Sequence, residues 1–295
     1  MDLELRGRET RCSATFEEGP GRLPGLVIAT PAVEARIFLH GAQLTQWRPA
    51  GVQPVIFLSE KSKFEEGHAI RGGVPVCFPW FGPLEGESSH GFVRNRTWNG
   101  EEVRHLDGGA VQAVFATESD EETRVRWPYD YALRLTYTIG ATLAMELEVE
   151  SRSRAPFTFS EALHTYFAVG DIRNVVIKGL ENTEYRDVLD RSEFKVQQGP
   201  VYFSEEVDRI FVNTKETCVL EDPALKRRIV VKKENSESTI VWNPWKKKAA
   251  ALADFGDDEW QRMVCIETGN VFEDEVTLEP GERHRMSAEI SVEAM

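Results

Sequence analysis

The sequence predicts an all-β protein, a large antiparallel β-sandwich. Three observations carry this: period-two apolar alternation, turn residues at short intervals, and little helical signal. Leu133, Leu135, Tyr137 and Ile139 fall on one side of an extended chain. A Gly-Ala-Thr turn follows, and Leu143, Met145, Leu147 and Val149 repeat the pattern, so the two runs are expected to pair as a hairpin. Further on, "RRIVVKK" and "STIVW" flank the polar turn "ENSE". Val276 and Leu278 then lead into "EPGE", and Met286, Ala288, Ile290 and Val292 alternate after it, which predicts another hairpin. The helical candidate lies near "ADFGDDEWQRM". Near residue 20, "EEGPGRLPG" reads as a Gly/Pro loop; its glycines are spaced one residue too wide for a dinucleotide fingerprint, and two prolines interrupt it.

At 295 residues the chain is long for one domain but within the reach of a single all-β domain. No repeat, low-complexity tract or linker divides it, so one β-sandwich domain over residues 1–295 is expected. A chain of this size buries roughly three quarters of its unfolded surface and needs no staples. The formal net charge of -14 argues against general nucleic-acid binding, and an acidic chain that binds an anion must do so with a local cluster of cations. Cys12, Cys77, Cys218 and Cys265 are scattered, with no CxxC and no metal-type spacing, which reads as reduced thiols. The start "MDLELRGRET" carries no apolar core of a secretory signal, and no apolar run approaches the roughly 20 residues of a membrane span. A cytoplasmic protein is expected, and the "NRT" at Asn95 then has no meaning as a glycosylation site.

Three segments hold groups able to do chemistry. "IRGGVPVCFPWFGP" running into "SSHGFVRNRTW" supplies Arg71, Trp80, His90, Arg94, Arg96 and Trp98 among glycines that let backbone approach a ligand. In "SEALHTYFAVG", His164 sits inside an apolar strand; in "MVCIETGN", Glu267 follows an apolar run. Each is an ionisable group where a strand pattern wants an apolar one. His164 is either a core imidazole satisfied by backbone or an acid/base group. Glu267 is either a strand-end residue facing water or a buried carboxylate, which is costly without a partner. A histidine and a glutamate facing one cavity divide proton transfer between them. Arg71 and Arg94 are planar forks beside flexible backbone, suited to phosphate or carboxylate. Arg96 shares the face of Arg94 if the segment is extended. Trp80, Trp98, Trp242 and Trp245 are core residues or platforms for a sugar ring. "KKK" at Lys246 to Lys248 reads as a solvated turn. The chain lacks GxSxG, Walker and HExxH motifs, and its six histidines are too scattered for a cupin-like metal site.

Together these segments resemble one family, the glucose-6-phosphate 1-epimerases (hexose-6-phosphate mutarotases), a branch of the aldose 1-epimerase group. The resemblance runs from "ARIFLHGAQLTQW" through "FLSEKSKFEEGHAIRGGVPVCFPWFGP" and "HGFVRNRTW" to "SEALHTYF", "VDRIF", "VWNPW" and "VCIETGN", in the family's order and over nearly the whole chain. It implies a large antiparallel β-supersandwich forming one catalytic domain. It implies that His164 is the general acid at the ring oxygen and Glu267 the general base at the anomeric hydroxyl. Asp208 matches a carboxylate that contacts the sugar, His90 a position against the sugar, and Arg71 and Arg94 the positions that hold the phosphate. Trp80 stands where many relatives carry Gln in "FPQFG", so stacking or packing replaces a polar contact there; Ser89 likewise replaces a longer polar side chain. The implied reaction, anomer exchange of a hexose 6-phosphate, uses no metal or other cofactor. The implied partner is a small sugar phosphate bound by a monomer, with no nucleic acid and no membrane. An aldose 1-epimerase for unphosphorylated sugars and a non-catalytic carbohydrate-binding sandwich are the alternatives.

Overall fold

The computed structural model describes residues 12–295. The stretch read above as lacking a secretory signal lies outside the described residues. Residues 131–149 form the expected hairpin: Tyr131–Ile139 pairs antiparallel with Leu143–Ser151, from Tyr131 opposite Ser151 to Ile139 opposite Leu143. Every second residue of both strands is buried. The other face is wet and carries ion pairs such as Arg134 with Glu101, Arg285 with Glu148, and Arg283 with Glu150 at 3.1 Å. Exposed pairs of this kind contribute at most about 1 kcal/mol each, so the hairpin is held by its apolar face.

That hairpin lies within a nine-stranded antiparallel sheet, whose long neighbours are Arg283–Ala294, Arg227–Glu234 and Val111–Glu118. An eight-stranded sheet runs Glu193–Val196, Glu184–Asp187, Val207–Phe211, Ser238–Asn243, Met263–Asn270, Glu161–Leu163 and Val76–Cys77, with Tyr166–Ala168 also on Met263–Asn270. A four-stranded meander covers Ser13–Glu18 to Gln43–Pro49, and Phe157–Phe159 pairs with Val276–Leu278. One cluster of buried apolar residues draws on both large sheets: Leu133, Leu135 and Leu147 from one, Phe211, Val241 and Ile266 from the other. A smaller cluster, with Cys77, Ala162, Ile210 and Ile240, covers the opposite face of the eight-stranded sheet. That sheet is therefore buried on both faces, and it is on this second face that the pocket opens.

One expected pairing is not made. Val276–Leu278 joins Phe157–Phe159, while Arg283–Ala294 lies between Leu143–Ser151 and Arg227–Glu234. The short strand cannot cover the long one, so the turn at 279–282 carries the chain from one sheet to another. The two runs that flank the "ENSE" turn, Arg227–Glu234 and Ser238–Asn243, belong to different large sheets. Their burial patterns differ as this requires: the first alternates, whereas the second is buried almost throughout. The segment "ADFGDDEWQRM" forms only a 3₁₀ turn, Glu259–Arg262, because Gly256 and the two aspartates after it interrupt any longer helix. Two short helices occur elsewhere. Helix α1, Glu121–Arg126, starts at a capping box on Asp120. Helix α2, Trp245–Ala251, takes in the "KKK" run read as a turn; Asn243 Oδ1 accepts from the Trp245 amide at its start, and three alanines complete it.

Candidate active site

Strand register brings the site together. Asp208 lies opposite Trp242, which lies opposite Cys265; Ile210 lies opposite Ile240, which lies opposite Glu267. Residues directly across a ladder share a face, as do residues two apart along a strand. These six side chains therefore form one patch, and five of them, all but Cys265, line a cavity of about 450 Å³. The same cavity is lined by Arg71, Phe81, Ser89, His90, Arg94, His164, Tyr166, Lys248 and Phe272.

His164 sits between the strands Glu161–Leu163 and Tyr166–Ala168, in the break that separates them, rather than inside one continuous strand. Its amide donates to the Pro75 carbonyl at 3.0 Å. Its ring stacks on Tyr166 at 4.8 Å between centroids, which fixes the plane of the imidazole. Nε2 then lies 3.4 Å from Glu267 Oε1. Glu267 is in the middle of its strand and 1% exposed, so it is not the water-facing strand end that the sequence left open. His164 Nδ1 and Glu267 Oε2 are buried with no partner among the described residues. Buried polar atoms almost always have partners, and exceptions mark sites where a ligand supplies them.

Burial pushes the His164 imidazole well below its ordinary pKa, and the positive charges of Arg94 and Arg71 add to this. Burial pushes the Glu267 carboxyl well above its ordinary value, and Asp208 raises it further. Both effects favour the uncharged form of each group. Asp208 is itself pushed up to about 6 by burial and by Glu206.

The arginines are held on the side of Tyr166. Arg71 donates through Nη1 to Tyr166 Oη and through Nε to Asp254 Oδ2, both at 3.2 Å. Burial opposes its charge, but Tyr166 and Asp254 more than offset that and raise its pKa. Gly72 follows at φ +110°, where a Cβ would stand 2.6 Å from the Phe57 carbonyl oxygen, so only glycine lets the chain pass here. Arg94 donates through Nη2 to the Ser89 carbonyl at 2.7 Å, and its Nε is buried without a partner among the described residues. His90, held at φ +61°, packs edge-on against Phe81 at 4.6 Å and lies 5.4 Å from the His164 ring. Burial, Arg94 and Arg71 lower its pKa to about 3, so it enters the site as neutral imidazole.

Trp80, expected near the ligand, and Arg96, weighed only as a neighbour of Arg94, are elsewhere. Trp80 does not line the cavity: its indole Nε1 donates to the Ser88 carbonyl at 3.0 Å and its ring packs edge-on against Phe92. The apolar wall comes from its neighbour Phe81 and from Trp242. Arg96 pairs with Asp120 and Glu122. The chain at Val93–Asn95 is a 3₁₀ turn, not extended, so Arg94 and Arg96 part company. Of the remaining tryptophans weighed for stacking, Trp98 is buried and Trp245 packs on Trp260. Sequence reasoning missed Tyr166, Asp254 and Phe81. Tyr166 stood two residues from His164 in "ALHTYF", whereas nothing local marked Asp254.

Comparison with known proteins identifies the family. The profile of the family described as Aldose 1-epimerase matches residues 25–291. A relative from Escherichia coli (strain K12), named "Putative glucose-6-phosphate 1-epimerase", is 38% identical over 245 residues, 82% of each chain. A relative of the same name from Cenchrus ciliaris is 36% identical over 267 residues, covering 85% of this chain and 79% of that one. The solved structure of YeaD from Salmonella typhimurium, a "putative mutarotase", superimposes with a TM-score of 0.88 at 32% identity, covering 96% of this chain and 97% of that one. The antiparallel sandwich, the pocket on its second face and these matches lead to one assignment: the chain is an isomerase belonging to the aldose 1-epimerase family.

Proposed function

We propose that this enzyme interconverts the α and β anomers of a hexose 6-phosphate, with D-glucose 6-phosphate, the sugar in its relatives' names, as the favoured substrate. One observation carries the reading: the paired His164 and Glu267 share their pocket with two arginines, whose charges both act on His164 while only that of Arg94 also reaches Glu267. In a pyranose 6-phosphate the phosphate hangs from C6, which is bonded to C5, beside the ring oxygen. Cations near His164 therefore place the phosphate so that His164 meets that oxygen. Charge-assisted hydrogen bonds of roughly 1.5–3 kcal/mol each make the phosphate the main handle.

The pair carries one proton. Without substrate, burial keeps that proton on Glu267 and leaves His164 neutral. A phosphate on Arg71 and Arg94 cancels two positive fields that oppose a charge on His164, which moves the proton to the imidazole. Glu267, now a carboxylate, takes the proton of the C1 hydroxyl while His164 gives its proton to the ring oxygen. The bond between C1 and the ring oxygen breaks, leaving an aldehyde and a C5 hydroxyl. Rotation about C1–C2 presents the other face of the aldehyde, and the reverse transfers close the ring as the other anomer. Asp208 and His90 hold ring hydroxyls, and Phe81 and Trp242 offer apolar faces to the ring.

This reading takes residues 1–295 as one catalytic domain acting as a cytoplasmic monomer. No helix among the described residues is long and apolar enough to cross a membrane. NMR exchange between the anomers of glucose 6-phosphate, with and without the protein, tests the activity. Acceleration above the spontaneous rate is expected, and its absence rejects the proposal.

A further inference from the structure

The run Lys246 to Lys248 forms the body of α2, and its third lysine reaches the pocket, where it lines the cavity with Leu252 just beyond the helix. Lys248 is exposed and has no hydrogen bond or ion pair among the described residues. It faces the acidic wall, where its charge acts on both Asp208 and Glu206. The two arginines, by contrast, are partly committed. Arg71 gives Nε and Nη2 to Asp254 and Nη1 to Tyr166. Arg94 gives Nη2 to the Ser89 carbonyl.

Formal charges expose a mismatch. Arg71 and Arg94 contribute +1 each and Asp254 takes one back, leaving +1. A phosphate monoester carries about −1.5 to −2 near neutral pH, so the fixed groups leave between about half and one negative charge unmatched. We infer that Lys248 is the third cation of the phosphate subsite: an arm on α2 that leaves the Asp208 wall for the phosphate and raises the preference for phosphorylated hexoses. The inference rests on the hexose 6-phosphate reading of this pocket. Lysine suits the part because its ammonium is a point charge on a flexible stem, whereas Arg71 and Arg94 are forks fixed by their neighbours. Its move also leaves Asp208 to the sugar.

The test is NMR anomer exchange on glucose 6-phosphate and on glucose, at low and high salt, for the wild type, Lys248→Met and Lys248→Arg. Lys248→Met is expected to lower kcat/KM for the phosphorylated sugar about tenfold, the worth of one charge-assisted hydrogen bond. The loss should appear in KM, exceed the effect on glucose severalfold, and flatten the salt dependence. Lys248→Arg should recover most of it, and inhibition by inorganic phosphate should weaken in Lys248→Met. Equal losses on both sugars, or a full wild-type preference in Lys248→Met, overturn the inference while the site reading stands. A wild type with no preference for the phosphorylated sugar overturns the reading and the inference together.

Discussion

His164 Nε2 and Glu267 Oε1 stand 3.4 Å apart, on two buried side chains, one in the break between two short strands and the other in mid-strand of the same sheet. No charged partner is needed to hold them there: the Tyr166 ring orients the imidazole and strand register orients the carboxylate. Replacing the carboxylate alone should therefore remove chemistry and keep structure. Glu267→Gln is expected to lower kcat by about 10²–10⁴-fold, the usual worth of one general base, with an unchanged circular dichroism spectrum. Activity within a factor of a few of wild type would remove Glu267 from the mechanism.

Arg71 acts at the other end of the proposed substrate. Arg71→Ala takes away a bidentate cation and leaves Asp254 without its partner. We expect KM for glucose 6-phosphate to rise about 10- to 100-fold, and the effect on glucose to be much smaller. Equal damage on the two sugars would show that Arg71 organises the pocket rather than gripping phosphate.

Asp208 links activity to pH. Burial and Glu206 place its pKa at about 6 in the free enzyme. As a hydrogen-bond acceptor for a sugar hydroxyl it serves as the carboxylate, so kcat/KM should fall as pH drops through about 6. The profile of Asp208→Asn should lack that limb and lie lower at neutral pH. A limb that survives unchanged in the variant belongs to another group.

His284, on the nine-stranded sheet, links stability to pH through Glu161 of the eight-stranded one. Burial opposes its charge, but the hydrogen bond and charge of Glu161, 2.9 Å away and fully buried, outweigh that and raise its pKa. A raised folded-state pKa gives stability that is complete below the unfolded histidine value near 6.5 and lost as pH climbs through the folded value. Urea midpoints should therefore fall between pH 6 and pH 9, and the fall should shrink in His284→Gln. A midpoint that rises over that range would contradict the sign.

The hairpin at 131–151 was legible because both signals needed were local: alternation chose the buried face, and Gly-Ala-Thr closed the turn. The hairpin expected for 276–292 used the same signals and was not made, because alternation tells which side of a strand is buried but not which sheet buries it. The continuous apolar character of "STIVW" was the unused clue that this strand lies inside a sheet covered on both faces.

The sequence by itself determined the fold class and the motif order, and through them singled out His164, Glu267, Arg71 and Arg94, because ionisable groups in apolar strands and arginines among glycines stand out locally. Only the tertiary structure decided which of its neighbours share the pocket. It turned Trp80 and Arg96 away, brought Phe81, Tyr166 and Trp242 in, set Asp254 on Arg71, and carried Lys248 to the rim. The reason is geometric. A 3₁₀ turn at Val93–Asn95 and the register of three strands decide where side chains point, and the register depends on contacts between residues far apart in the chain.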